Sequence, residues 1–316
     1  MNEMNSRRDF LKTAAMCAVG AHFLPGNNAW GVASLSRPLG LQLYTVGEDF
    51  DKDPFGTLAK IAAIGYREVE LSPLSKVPVK DIKKALADSG LKNPSGHYII
   101  PDLMGHLQEK IDTAKELGQE FMIVTVPWVA DPSRFQAANQ MDMFRNMLNG
   151  LTLDDWKWNA EQFNKLGEQT KKAGLQLGYH NHNFEFRKLG DSTGYDEFLR
   201  LTDPELVALE LDCGWITVAG LDPVTYLAKF PSRYRLLHIK DFKKGFSPST
   251  TLMGDASAAA VPTELGRGAI DYGRILGAAT SGHIRALFVE QEPPFKEMPP
   301  LEAIKVDFDY LHNLKI

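Results

Sequence analysis

From Pro38 onward, short β-branched or apolar runs alternate with longer stretches whose apolar positions recur at helical spacing. The runs predict strands at 39–44, 67–71, 93–98, 120–126, 175–180, 207–211, 235–239 and 285–290. Several follow a helical stretch that ends in glycine, at Gly65, Gly90, Gly118 and Gly174. Glycine just past a last helical turn accommodates the left-handed geometry needed there. Strands separated by helices need crossover connections, and those imply a parallel sheet. An open doubly wound sheet normally carries a Gly-rich phosphate loop after its first strand, and Tyr44-Thr45-Val46-Gly47-Glu48 is not one. The expected fold is therefore a single (β/α)₈ TIM barrel over residues 34–316, about the usual length for that architecture. The longest breaks in the pattern, 129–153 and 243–270, follow strand carboxyl ends, where barrels build lids, and the second is expected to be mobile.

The first 33 residues break the pattern. Ser6-Arg7-Arg8-Asp9-Phe10-Leu11-Lys12 precedes a weakly apolar run, and the small-residue tail Asn28-Ala29-Trp30-Gly31-Val32-Ala33 follows. This resembles a twin-arginine (Tat) signal peptide, cleaved near 29–34, and implies a periplasmic or otherwise exported protein. The competing reading is a basic amphipathic first helix. Cys17 follows Met16, where a lipoprotein anchor would want a small residue. Without the leader only Cys213 remains, so no internal disulfide can form.

The 316 residues are 44% hydrophobic and 24% charged, enough for one large core. A net charge of −5 offers no basic surface to nucleic acid or anionic lipid. Beyond the leader no apolar run approaches the roughly 20 residues that span a bilayer. Whether copies of the chain form a homo-oligomer is left open.

Buried parallel strands should be apolar, so polar residues at their carboxyl ends need a reason. Strand two ends Glu68-Val69-Glu70-Leu71, strand three Gly96-His97-Tyr98, and strand five Gly178-Tyr179-His180-Asn181-His182. Strand six ends Leu209-Glu210-Leu211-Asp212, strand seven Leu237-His238-Ile239-Lys240-Asp241, and strand eight Phe288-Val289-Glu290-Gln291-Glu292. Any one alone could be a satisfied core group or a helix cap, as Asp212 before Cys213-Gly214 could be. Six together in a closed barrel converge on one mouth. Asp212, Glu290, His180 and His238 form a mixed oxygen and nitrogen set suited to Mn²⁺, Co²⁺, Zn²⁺ or Fe²⁺ and poor for Ca²⁺. No CxxC or HExxH motif is present.

The segments 179–186, 209–215, 238–241 and 289–292 resemble the xylose-isomerase-like barrel superfamily. It includes inosose dehydratase, ketose 3-epimerases, hydroxypyruvate isomerase and endonuclease IV. The resemblance covers residues 38–312 or so. In its ketose epimerases the metal is held by Glu, Asp, His and Glu from strands five to eight, which implies His180, Asp212, His238 and Glu290 here. Those epimerases also use the two glutamates as opposed bases. Histidine at position 180 departs from that pattern and brings the chain nearer to the inosose dehydratase branch and to barrels that open 3-keto-glycosides by β-elimination.

The expected function is thus a metal-dependent sugar or keto-sugar enzyme that abstracts a proton next to a carbonyl, as a lyase or dehydratase. A sugar isomerase or epimerase is the alternative. A non-catalytic periplasmic carbohydrate-binding barrel would not need so many ionisable strand ends, and a nuclease would want a basic groove. The candidate catalytic groups are His182, Lys240, His97 and Glu290. Glu70, Glu185, Trp128 and Trp215 are expected to bind the substrate, the carboxylates through sugar hydroxyls and the indoles by their flat faces.

Overall fold

The computed structural model describes residues 31–32, 37–73, 75–252, 260–279 and 283–316. Apart from Gly31 and Val32, which pair antiparallel with Pro38 and Arg37, the expected signal peptide lies outside the described residues. The barrel strands are β1 (Arg37–Gln42), β2 (Glu68–Leu71), β3 (Lys92–Tyr98), β4 (Phe121–Val124), β5 (Gln176–His180), β6 (Val207–Asp212), β7 (Tyr234–Ile239) and β8 (Ala286–Val289). Each is hydrogen-bonded in parallel to the next, and β8 pairs with β1, which closes the barrel. The crossover helices are α1 (Pro54–Ile64), α2 (Val79–Ser89), α3 (Ile100–Glu116), α4 (Leu153–Lys172), α5 (Gly194–Leu201), α6 (Pro223–Lys229), α7 (Tyr272–Ala279) and α8 (Pro300–Asn313).

All eight expected strands are present, with ends shifted by up to two residues. β1 stops at Gln42 because the Gln42 side chain accepts the Tyr44 N–H at 3.1 Å and turns the chain into a short 3₁₀ helix, Leu43–Val46. Gly65, Gly90, Gly118 and Gly174 all take positive φ at their helix ends.

Along a strand every second side chain points into the barrel. Toward the amino-terminal end many inward positions are apolar: Phe121, Ile123, Ala208, Leu236, Ala286 and Phe288 form one cluster. Two inward positions are glycine for lack of room. A Cβ on Gly40 would strike the Phe288 ring, and one on Gly178 would strike Ile123 Cδ1. This plug seals the bottom of the barrel, so polar groups above it face a single opening.

The two long breaks carry more structure than their sequences suggest. The first contains a helix, Gln140–Gly150, and is tied to α4 by Arg134, whose guanidinium grips Asp155 at 2.6 and 3.0 Å. Asp155 also completes a capping box with Thr152. The second break was expected to be mobile on the strength of Gly245, Gly254 and the run 256–260, most of which lies outside the described residues; among those described, several side chains hold the loop. Asp241 accepts the N–H groups of Phe242, Gly268, Ala269 and Ile270. Asn183 donates to Ser249 O, and Asn149 pairs with the backbone of Leu252. The loop therefore reaches from β7 across to the segments that follow β4 and β5.

Candidate metal and active centre

Three strands show how the chemistry changes with height. Inward positions run Ala208, Glu210, Asp212 on β6; Leu236, His238, Lys240 from β7; and Ala286, Phe288, Glu290 from β8. Each climbs from the apolar plug into ionisable groups. Those groups form two storeys that share a pair of histidines.

The lower storey is fully enclosed. Glu70 Oε2 lies 2.6 Å from His238 Nε2 and 2.8 Å from His97 Nε2, and it accepts Gln42 Nε2 at 2.8 Å. The Ser95 hydroxyl donates to its other oxygen. Glu210 Oε2 meets His97 Nε2 and His180 Nδ1, each at 3.0 Å, and His238 Nε2 at 3.4 Å. Glu210 Oε1 is buried without a hydrogen-bond partner. Burial opposes charge on His97, yet the Glu70 carboxylate and the bond to Glu210 outweigh it and push its pKa up to about 9. Burial would likewise raise Glu70, but His97 and His238 hold it below the ordinary carboxylate range. Burial and then the Glu70 charge push Glu210 up to about 7.

The upper storey faces the mouth. His180 Nε2 lies 3.7 Å from Asp212 Oδ2, and His238 Nδ1 lies 3.2 Å from Glu290 Oε2. The Asp212 Oδ1 caps the helix Cys213–Val218 by accepting Trp215 N–H at 2.6 Å, which turns Oδ2 inward. Lys240 Nζ lies 3.0 Å from Asp212 Oδ2, 2.5 Å from Glu290 Oε2 and 2.6 Å from Glu292 Oε1. Burial, then the charge of His238, drives the His180 pKa well below its ordinary value and keeps the ring neutral.

Among the described residues, two sets of four ligand atoms each fall within 4.8 Å of one another: His97, His180, Glu210, His238 below, and His180, Asp212, His238, Glu290 above. The upper set fits a divalent ion better. Its histidines each present one nitrogen upward, His180 Nε2 and His238 Nδ1, while the other nitrogen is bonded to a buried carboxylate, Glu210 or Glu70. A carboxylate behind a histidine fixes the tautomer and raises the basicity of the nitrogen that faces a metal. Asp212 Oδ2 is buried with no hydrogen bond, and the Lys240 ammonium beside it supplies positive charge where a metal cation would.

Of the residues singled out from sequence, His180, Asp212, His238, Glu290 and Lys240 converge. His182 and Trp215 stand at the rim, with ring centroids 5.9 Å apart. The His182 side chain is 19% exposed, and its Nδ1 is buried without a hydrogen bond, 3.9 Å from Glu185 Oε1. Trp215 lies under the Lys240 ammonium, 5.4 Å from Nζ, and donates its indole N–H to Glu292 at 2.9 Å.

The other four expected site residues are placed as follows. His97 has both ring nitrogens engaged, by Gln42 on one side and Glu70 with Glu210 on the other, so it is a lower-storey group. Glu70 is fully buried beneath the histidines and has no surface to offer a sugar hydroxyl. Glu185 is also fully buried, because the 3₁₀ turn Phe184–Phe186 folds it under the β5 loop, where it accepts Tyr179 OH at 2.8 Å and His182 N–H at 2.9 Å. Trp128 packs its side chain on the core, and Asn159 holds its backbone at both N–H and C=O. Sequence reasoning missed Glu210 and Glu292 as members of the centre. Glu210 stands two residues before Asp212, the spacing that puts both on one face of a strand, and that signal was available.

Residues 58–313 match the sequence model of the xylose isomerase-like TIM barrel family. An inosose dehydratase from Clostridium perfringens is 35% identical over 190 residues, which span 59% of this chain and only 63% of that protein. One from Mesomycoplasma hyopneumoniae is 31% identical over 271 residues, 81% of this chain and 87% of that protein. The crystal structure of a sugar phosphate isomerase/epimerase from Parabacteroides distasonis superposes with a TM-score of 0.69 at 25% identity, covering 88% of this chain and all of that one. By this match, and by its closed barrel with ionisable strand ends, the chain belongs to the xylose isomerase-like TIM barrel family.

Proposed function

We propose that the protein is a divalent-metal-dependent enzyme that takes a proton from the carbon next to the carbonyl of a keto-sugar or keto-cyclitol and expels the group on the following carbon. The observation that carries this reading is the make-up of the upper storey. Its β5 member is a histidine with Nδ1 bonded to Glu210 and Nε2 turned toward Asp212. With Nδ1 given to Glu210 and Nε2 given to the ion, such an imidazole would have no spare lone pair with which to act as a second base opposite Glu290. The inosose dehydratase relatives support the same direction.

His180, Asp212, His238 and Glu290 would hold the ion. A divalent ion there would polarise the substrate carbonyl and lower the energy of the enolate. Lys240 and His182 flank the mouth from β7 and the β5 loop. His182 is kept neutral by burial and then by the Lys240 charge, and its imidazole, 19% exposed at the rim, receives the proton. The electron pair of the broken C–H bond becomes the new C=C bond, and the C–O bond to the β group breaks with its pair on oxygen. Lys240, cationic and paired also with Glu292, supplies the proton to that oxygen. No oxidant is needed. Trp215 offers its face to the ring beside Lys240.

Isomerisation or epimerisation is the second reading, favoured by the Parabacteroides structure, because the same base and acid could return the proton to carbon. Turnover in deuterated water separates the two. Elimination yields an unsaturated product seen by NMR, whereas recovered sugar with inverted configuration, deuterium at one carbon and nothing expelled would overturn the lyase reading. We further propose export through the twin-arginine route on the strength of Arg7-Arg8. Replacing both with lysine should hold the protein in the cytoplasm, and unchanged export would sink that assignment.

A further inference from the structure

The metal centre accounts for the ionisable strand ends but leaves a large feature of the same face unused. Where the chain leaves β8, β1 and β2, it encloses a cleft of about 820 Å³. That is within the roughly 300–1,000 Å³ of sites that enclose a drug-sized ligand, and well beyond what one sugar ring requires. Its walls are largely apolar: Tyr44, Val46, Phe50, Pro293, Phe295 and Pro300. Tyr44 is 40% exposed although it is large and aromatic. Charged side chains also line it: Glu48 and Lys76 are exposed, and Asp49 and Asp51 are half-buried.

The cleft adjoins the centre rather than standing apart from it. Pro293 follows Glu290 by three residues, and Tyr44 follows the lower-storey Gln42 by two. The two segments are joined where Gln291 N–H donates to Thr45 Oγ1 at 2.9 Å. The Tyr44 phenol feels the charged groups directly: burial first, then Glu292 and Glu290, raise its pKa. A ring bound between Lys240, Trp215 and Glu290 would therefore have the β8–β1 sector of the mouth as one of its exits.

We propose that this cleft receives an apolar aglycone, so that the substrate is a keto-glycoside with a hydrophobic leaving group and not a free keto-cyclitol. The inference rests on the elimination reading above, since the group expelled from the β carbon is the one that must extend away from the reacting atoms. A molecule bearing only hydroxyls would gain nothing from walls of Tyr44, Phe295 and proline, and would leave the cleft full of water. In a 3-keto-glycoside the proton leaves C2, the C1–O bond breaks, and the aglycone departs as an alcohol or phenol through the space that held it.

The test uses alkyl groups, so that leaving-group acidity stays nearly constant while apolar area changes. The metal-loaded protein is titrated with methyl and cyclohexylmethyl β-D-glucosides, which lack the ketone and cannot react. In parallel, turnover of their 3-keto forms is followed by NMR. The cyclohexylmethyl compound should bind roughly 10- to 100-fold more tightly than the methyl one, as burial of a cyclohexyl group predicts. Phe295→Ser and Tyr44→Ser should each erase most of that gain while leaving turnover of the methyl 3-keto-glucoside unchanged. Equal binding of the two glucosides overturns the cleft assignment even if both keto forms are eliminated. A clear preference without any elimination keeps the cleft and overturns the reaction. A dimer in sedimentation that Phe295→Ser dissociates, with no preference between the glucosides, would give the cleft to a second copy and also overturn the proposal.

Discussion

The histidine pair at the centre of the barrel stands between two carboxylate pairs, and the two pairs do opposite things. Glu70 and Glu210 below are fully buried, and every contact described for them is with fixed groups of the interior: Gln42, Ser95, His97, His180 and His238. Asp212 and Glu290 above share a single lysine that arrives on a long side chain. The lower pair meets only groups of the barrel interior, while the upper pair, besides its contacts with His180, His238 and Trp215 N–H, shares a cation carried on a long side chain. On the reading proposed above, the same residue types would serve orientation at one height and metal binding some ångströms higher. What separates them is the lysine, not burial.

That comparison predicts a graded series. Asp212→Asn should have the largest effect. Asparagine still caps the helix that begins at Cys213, so folding should survive, but the ligand charge is gone. Divalent-metal affinity should fall by more than about 100-fold, with activity, beyond the range typical of residues behind the ligands. Unchanged metal stoichiometry at low free metal would remove Asp212 from the site. Glu210→Gln should act more mildly, weakening metal affinity about 10- to 100-fold through a less well oriented His180, with activity recovered at saturating metal. If excess metal restores nothing, Glu210 is more than an orienting group.

Another buried carboxylate sharpens the contrast because it has no imidazole beside it. Asp307 on α8 accepts Leu265 N–H at 2.7 Å, and burial, then the charges of Glu264 and Asp241, push its pKa up to about 8. Glu70, equally buried but flanked by His97 and His238, moves the other way. A raised folded-state pKa stabilises the protein fully below the unfolded value of about 4, and that contribution is lost as pH rises through about 8. Asp307→Asn keeps the acceptor and removes the titration. The variant should be more stable than the parent at pH 9 by on the order of 1–2 kcal/mol, a gain that shrinks toward pH 4. Thermal melts at the two pH values check it, and a gain of equal size at both would show that charge is not the cause.

Much of this was legible in the sequence because barrel strands carry a simple code. Alternation gave the eight strands, and the polar carboxyl ends gave His180, Asp212, His238, Glu290 and Lys240 as one mouth. Height was not legible. Glu70 and His97 also end their strands, yet they sit beneath the histidines rather than beside them, because neighbouring strands in a barrel are staggered and equal distance from a strand end is not equal depth. Glu185 was misplaced for a different reason. It lies past the end of β5, where a 3₁₀ turn rather than strand periodicity decides which way a side chain points. Glu210 was hidden by its neighbour, since Asp212 alone satisfied the motif.

The most direct test of the two-storey centre is anomalous diffraction from crystals loaded with cobalt or manganese. One peak bounded by His180 Nε2, His238 Nδ1, Asp212 and Glu290, with Lys240 withdrawn from the two carboxylates, is the predicted result. A peak lodged instead among His97, His180 Nδ1, Glu210 and His238 Nε2 would reverse the roles of the two storeys and contradict the account.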